Sequence, residues 1–192
     1  MTQQIIVGTG HRPNKIFVGN PYCYSEAAFQ LLVKFFRVVV WPKFKENDIE
    51  VIEVVSGGAL GFDQAMAYSA LLEGIKVHMT IPYKNMEDAW KDKRNPDIET
   101  ESMKRYRMIL ALTIEQGGRV SYGYESYQGN WQLLNRNKDM VDQLEGKLGA
   151  VLTLSNGDEE GGTAHCIRYA KSKQVRVINF WSLWLKFRSE NN

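Results

Sequence analysis

The sequence predicts an α/β protein: one domain built on a doubly wound, mainly parallel sheet of five to seven strands over residues 1–180, followed by an aromatic tail, 181–192. Three observations carry this reading. Short β-branched runs alternate with helical patterns in the order β-α-β-α-β-α-β-α-β-α-β. Two of the strand-to-helix joints carry paired glycines. The chain has 192 residues, 44% hydrophobic and 24% charged, which is ordinary for one globular unit able to bury a core without staples.

The first strand is Gln4–Val7, and Gly8-Thr9-Gly10-His11-Arg12-Pro13 follows as a flexible turn. A first strand ending in Gly-x-Gly invites the dinucleotide fingerprint, but its third glycine falls at Pro13, so the fingerprint fails. The turn still lies where open α/β sheets bind ligands, and Arg12 is suited to hold a phosphate or carboxylate. Ser25 is a candidate N-cap for a helix carrying Phe29, Leu32, Val33 and Phe36 at helical spacing. Val38–Trp41 before Pro42 leaves the end of that helix open, and Lys43–Asp48 reads as a polar connection.

The second strand, Ile49–Val55, leads into Ser56–Ala70, SGGALGFDQAMAYSA, around which the chain is organised. A strand that breaks at paired glycines and restarts as a helix points N–H groups and a positive helix end at one spot, as an anion requires. The same residues also serve a tight turn packed under the sheet, and both readings stay open here. Ala65, Tyr68, Ser69 and Leu72 form one stripe of the helix, which ends at Gly74. Asp63 in its first turn suits the helix dipole or, alternatively, a ligand hydroxyl such as a ribose.

Val77–Ile81 is the third strand. Tyr83–Asn95 is polar, without periodicity, and long enough for a binding loop or lid. A helical stripe of Met103, Tyr106 and Leu110 runs to Thr113, and Gly117–Tyr122 reads as a short strand. Tyr122, Tyr124, Tyr127 and Trp131 then crowd one stretch, as rings that stack on a planar ligand or pack the loop down. Asn130–Leu144 reads as a helix, Leu148–Leu154 as a buried strand, and Asn156–Glu160 as an acidic loop. Gly161-Gly162-Thr163 opens the helix Ala164–Lys171, so the strand–glycine turn–helix unit occurs twice. Val175–Phe180 is the last strand, and Trp181–Phe187 caps the core or meets a partner subunit.

Charge narrows the functional classes. With 24 basic and 22 acidic side chains the formal charge is +2, which disfavours an extensive nucleic-acid footprint. Cys23 and Cys166 form no CxxC pair, and His11, His78 and His165 are not at metal-ligand spacing, so neither metal nor cofactor is expected. No signal-peptide pattern opens the chain, and no apolar run approaches the ~20 residues that span a bilayer. The expectation is a cytoplasmic protein with no membrane association.

The segments Gly8–Pro13, Ser56–Asp63, Arg136-Asn137 with Met140-Val141-Asp142, and Gly161–Ala164 before Tyr169-Ala170 together resemble the SLOG superfamily. Within it they look closest to the YpsA-related branch, which includes many small bacterial and phage proteins. The resemblance runs from about Ile5 to Ile178 and implies a Rossmann-like, nucleotide-binding domain. Relatives include the Lonely Guy phosphoribohydrolases, the DNA-uptake protein DprA and sensors of NAD-derived signals. The phosphoribohydrolases carry an Arg-Lys pair upstream of a Gly-Gly-x-Gly-Thr-x-x-Glu turn. Arg136 matches that arginine and Gly162-Thr163 the Gly-Thr, but Asn137 stands where lysine would be and Cys166 where glutamate belongs.

The resemblance therefore implies a sensor or capture protein for a small nucleotide-type ligand, a nucleoside phosphate or an ADP-ribose-like molecule. Its expected ligand-binding residues are Gly8, Thr9, Gly10, His11, Arg12, Ser56, Gly57, Gly58, Ala59, Gly61, Asp63, Arg136, Asn137, Gly161, Gly162 and Thr163. The alternative is an N-glycosidase acting on nucleoside monophosphates, for which Asp63, Asp142 and Glu160 are the candidate acids. A single-stranded DNA-binding module of the DprA kind is a second alternative. Lonely Guy relatives pair through helices, which together with the Trp181–Phe187 tail points to a homo-oligomer. A phage-encoded member would act in the host cytoplasm.

Overall fold

In the computed structural model, which describes residues 1–191, six parallel strands form one sheet in the order β4-β3-β2-β1-β5-β6. The strands are β1 Thr2–Gly10, β2 Ile49–Ser56, β3 Lys76–Tyr83, β4 Arg119–Tyr124, β5 Gly149–Leu154 and β6 Arg176–Asn179. The helices are α1 Pro13–Ile16, α2 Glu26–Phe35, α3 Trp41–Glu46, α4 Phe62–Leu72, α5 Glu101–Glu115, α6 Trp131–Asp142, α7 Gly162–Ser172 and α8 Trp181–Glu190. This is the doubly wound, Rossmann-like arrangement that the β-α alternation predicts, with every strand pair parallel.

Period-2 alternation divides the central strands between two cores. Ile6, Val54 and Leu152 pack with α2, α4, α5 and α8 on one face. Ile5, Val7, Val55 and Val151 pack with Met140 and Val141 of α6 and Cys166 and Ala170 of α7 on the other. Both faces of β1 and β5 are thus covered, which is why these strands read as unbroken apolar runs. After β1 the chain turns to the α2 face, and after β5 it turns to the α7 face. The sheet therefore has its topological switch point between β1 and β5, and a crevice opens above their carboxyl ends.

Three local readings need correction. Gly8–Gly10 is not a flexible turn: β1 continues to Gly10, with Thr9 opposite Thr153 and Gly10 opposite Leu154. The glycines serve packing there, since a Cβ on Gly10 would lie 2.2 Å from Phe62 Cγ at the start of α4. The helix from Ser25 does not stop near Val40; a π-helical turn, Phe36–Val40, joins α2 to α3. Pro42 lies in the first turn of α3, where its missing N–H leaves nothing unpaired, so the residues read as a polar connection are helical to Glu46. Within Tyr83–Asn95, Met86–Trp90 forms a 3-10 turn.

The carboxyl-terminal helix docks on the larger core. Trp184 is fully buried, its ring edge-on to Phe17 and Phe35 at 5.3 Å each, and its indole N–H donates to the Ile16 carbonyl at 3.2 Å. Among the described residues no helix is long and apolar enough to cross a membrane. The contact between α4 and β1 that Gly10 permits is directly testable. Gly10→Ala should force Phe62 outward and cost about 1–3 kcal/mol, read as a lowered urea midpoint with unchanged slope; an unchanged midpoint would refute the packing role.

Candidate functional site

The crevice at the switch point is a cleft of about 390 Å³ whose walls come from five segments. The end of β1 gives Thr9, Gly10, His11 and Arg12; the β2–α4 joint gives Ala59, Leu60 and Asp63. Helix α6 gives Leu133, Arg136 and Asn137, and the β5–α7 joint gives Glu160, Gly161, Gly162 and Thr163. The fifth wall, Tyr83, Met86, Ala89 and Trp90, is mainly apolar and comes from the stretch expected to form a binding loop. A larger hollow of about 810 Å³ lies at the amino ends of β1–β3, but no orphaned polar group points into it.

Arg136 is the central charge. It is 9% exposed, and its Nη1 lies 3.5 Å from Asp63 Oδ2. Among the described residues, neither Nε nor Nη1 has a hydrogen-bond acceptor. The guanidinium lies directly on the backbone of Gly57, where a Cβ would fall 1.5 Å from Nη1. Gly57 is therefore glycine because an arginine from another helix occupies its side-chain space. Leaving buried charged donors without hydrogen bonds is costly, at about 1–3 kcal/mol or more per group.

Asp63 faces it from the first turn of α4. Its Oδ2 accepts from the Ala59 N–H at 3.4 Å. Burial pushes its pKa up to about 6, against the opposing pull of Arg136, the Ala59 N–H and Arg12. The turn before it is held from within: Ser56 Oγ donates to the Asp63 carbonyl at 2.8 Å and accepts from Gly58 N–H at 3.3 Å. Gln64 Nε2 donates to the Gly58 carbonyl at 3.2 Å. Gly58 and Gly61 both have positive φ, +71° and +92°.

Opposite this turn, α7 begins without a side-chain cap and without an acid in its first turn. Among the described residues, no acceptor takes the N–H groups of Gly162, Thr163 and Ala164. Their partial positive charge faces the cleft beside Arg136. Asn137 Nδ2 fixes the approach, donating to the Gly162 carbonyl at 3.0 Å. At the mouth, His11 Nε2 lies 2.6 Å from Asn156 Oδ1, and Lys15 pairs with Asp158, which together tie the β1–α1 turn to the β5–α7 loop. Burial lowers the pKa of His11, which keeps it neutral at physiological pH.

The structure thus brings Thr9, Gly10, His11, Arg12, Ala59, Asp63, Arg136, Asn137, Glu160, Gly161, Gly162 and Thr163 to one cleft. Gly8, Ser56 and Gly58 lie beneath it: the first accommodates Met66 of α4, and the other two shape the turn. Gly61 packs on Pro13. Asp142 is elsewhere, on the exposed end of α6, where its carboxylate accepts from Tyr169 Oη at 2.8 Å and pairs with Lys173 at 3.6 Å. Cys166 is fully buried under Asn137, and burial pushes its thiol up to about 11. The sequence reading left out Leu60, although it lies within the SGGALGFD segment, and Leu133, which no motif marks. None of the four crowded aromatics lines the cleft: Tyr124 packs against Trp131, and Tyr127 against Tyr83, which does line it.

No protein-family model matches the chain, and no curated protein does. Among solved structures, the chain is similar to a structural-genomics target named TM1055. Their superposition has a TM-score of 0.48 at 13% identity, over 91% of this chain and 72% of that one. It is also similar to DNA processing protein A (DprA) from Streptococcus pneumoniae. There the TM-score is 0.37 at 16% identity, over 92% of this chain and 58% of that one. DprA is among the relatives named with the sequence resemblance. The fold assignment itself rests on the strand order rather than on superpositions this loose.

The raised pKa of Asp63 has a definite sign. The folded protein holds this proton up to about pH 6, whereas the unfolded chain releases it near its ordinary 3.8. Stability is therefore fullest below 3.8 and falls as pH rises through 6. Relative to Asp63→Asn, wild type should lose on the order of 3 kcal/mol between pH 4 and pH 7, measured by urea denaturation across that range. Parallel curves for the two proteins would show that Asp63 ionises normally.

Proposed function

We propose that the cleft binds a small phosphorylated nucleoside derivative, a nucleoside phosphate or an ADP-ribose-like molecule, and that the protein captures or senses it. One observation carries this reading: a nine-tenths-buried arginine with two orphaned N–H groups stands beside an uncapped helix start with three more. The Arg136 guanidinium and the uncapped start of α7 border the same cleft, and together they suit a tetrahedral oxyanion better than a neutral group. Arg12 is exposed at the cleft and makes no ion pair among the described residues, so it adds attraction at the rim. The Tyr83, Met86 and Trp90 wall suits a planar ring. The sequence resemblance to a nucleotide-binding superfamily supports the same class.

A second reading is favoured by the pKa of Asp63. A carboxyl held near 6 in a cleft is suited to donate or accept a proton. If the ligand is a nucleoside monophosphate, Asp63 is the residue placed to assist release of the base, with Glu160 at the rim and Asp142 out of reach. Release of free base, absent in Asp63→Asn, would favour this reading over simple capture.

The experiment is a thermal-shift and calorimetry panel of nucleoside mono-, di- and triphosphates, NAD and ADP-ribose. A saturating ligand at about a hundred times its Kd should raise the midpoint by about 5–10 °C. Arg136→Ala should abolish that shift. Gly57→Ala should do so too, because its methyl displaces the guanidinium without removing it. If no member of the panel shifts the wild-type protein, the nucleotide reading fails.

A further inference from the structure

Arg136 borders a second cavity. Below it, on the α6 side of the sheet, β3, β4 and α6 enclose an open slot of about 170 Å³. The slot's working groups are Thr80, Ser121, Tyr122, Arg136, Asp139 and Gln143. Its polar groups are fixed by a chain of bonds. His78 Nε2 lies 2.8 Å from Ser121 Oγ, His78 Nδ1 lies 2.6 Å from Gln143 Oε1, and Gln143 Nε2 donates to Thr80 Oγ1 at 3.0 Å. The hydroxyls are thereby held in place while each keeps lone pairs for another partner.

Arg136 and Asp139 lie one turn apart on α6 and would ordinarily pair. They do not: Arg136 is turned up to Asp63, and Asp139 makes no ion pair among the described residues. The slot therefore offers a carboxylate, the Arg136 side chain on its wall, two positioned hydroxyls and the half-exposed ring of Tyr122. A second phosphate is disfavoured by the Asp139 charge. A purely apolar group is disfavoured because it would strip water from Asp139 without replacing it. A group with several hydroxyls satisfies all of these at once, donating to Asp139 and accepting from Arg136 while its C–H face lies on the Tyr122 ring.

We propose that this slot is a subsite for a sugar attached to the phosphate that Arg136 holds in the neighbouring cleft. The inference rests on the phosphate reading of that cleft and narrows it: the ligand carries a polyhydroxyl group on the far side of its phosphate, as in a nucleoside diphosphate sugar. Arg136 lines both cavities and so borders both parts of such a ligand.

Calorimetry with ADP and ADP-ribose tests this, because ADP-ribose is ADP with a ribose esterified to its terminal phosphate. Wild type should bind ADP-ribose at least about tenfold more tightly than ADP. Asp139→Ala and Tyr122→Ala should each reduce that ratio to about threefold or less, with the ADP titration in the same variants reporting on the cleft. Equal binding of the two ligands by wild type, or a tenfold preference that survives in both variants, overturns the sugar subsite while leaving the phosphate reading standing. If neither ligand binds, the phosphate reading fails and the slot falls with it.

Discussion

The Arg136–Asp63 pair, 3.5 Å across, joins helices that lie on opposite faces of the sheet. α6 delivers the arginine from one side and α4 the carboxylate from the other, over the carboxyl end of β2. The pair thus bridges the two layers at the top of the sheet. It does so under tension. A buried pair is stabilising only when its remaining donors are satisfied, and here Nε and Nη1 are not. The fold supplies only part of the hydrogen bonds that this guanidinium can make.

That constraint explains why the glycines of this chain divide into two kinds. Gly8, Gly10 and Gly57 each lack a side chain because another residue fills the space: Met66, Phe62 and Arg136 respectively. They are buried packing positions, and they bring α4 and α6 close enough to the strand ends for Asp63 and Arg136 to meet. Gly161 is the opposite case. Its φ is +93° and open space surrounds its Cβ position, so it sets the direction of the chain entering α7 and leaves the helix start bare. The first SGG turn is thus a scaffold for side chains, and the second GGT turn presents backbone donors.

Much of the fold was legible because the apolar periodicity changes clearly between strand and helix, and because β1 and β5 are buried on both faces. The order of elements and the switch-point location follow from that pattern. The division of labour between the two glycine turns was not legible, since it depends on which distant side chain fills each gap. Gly57 and Gly162 look alike in sequence; only the approach of α6 separates them. The acids show the same limit. Asp63, Asp142 and Glu160 were equivalent by chemistry, and the antiparallel run of α6 from the top of the sheet to its base removed Asp142. Local motifs place a turn, whereas a site depends on register between elements far apart in the chain.

The position of Cys166 bears on what the cleft does. Its thiol points into the smaller core, 3.9 Å from the Asn137 carbonyl, and is held protonated by burial. Helix α7 brings no side-chain acid to the cleft, and Asn137 is occupied in fixing the Gly162 turn. Asp63 stands on the opposite wall, where its neighbours are Arg136 and the Ala59 N–H. A carboxyl tethered in that way sets the position of a guanidinium more readily than it reaches a reacting bond. On the α7 side, what remains is a set of fixed donors, and fixed donors without a mobile acid favour holding a ligand over transforming it.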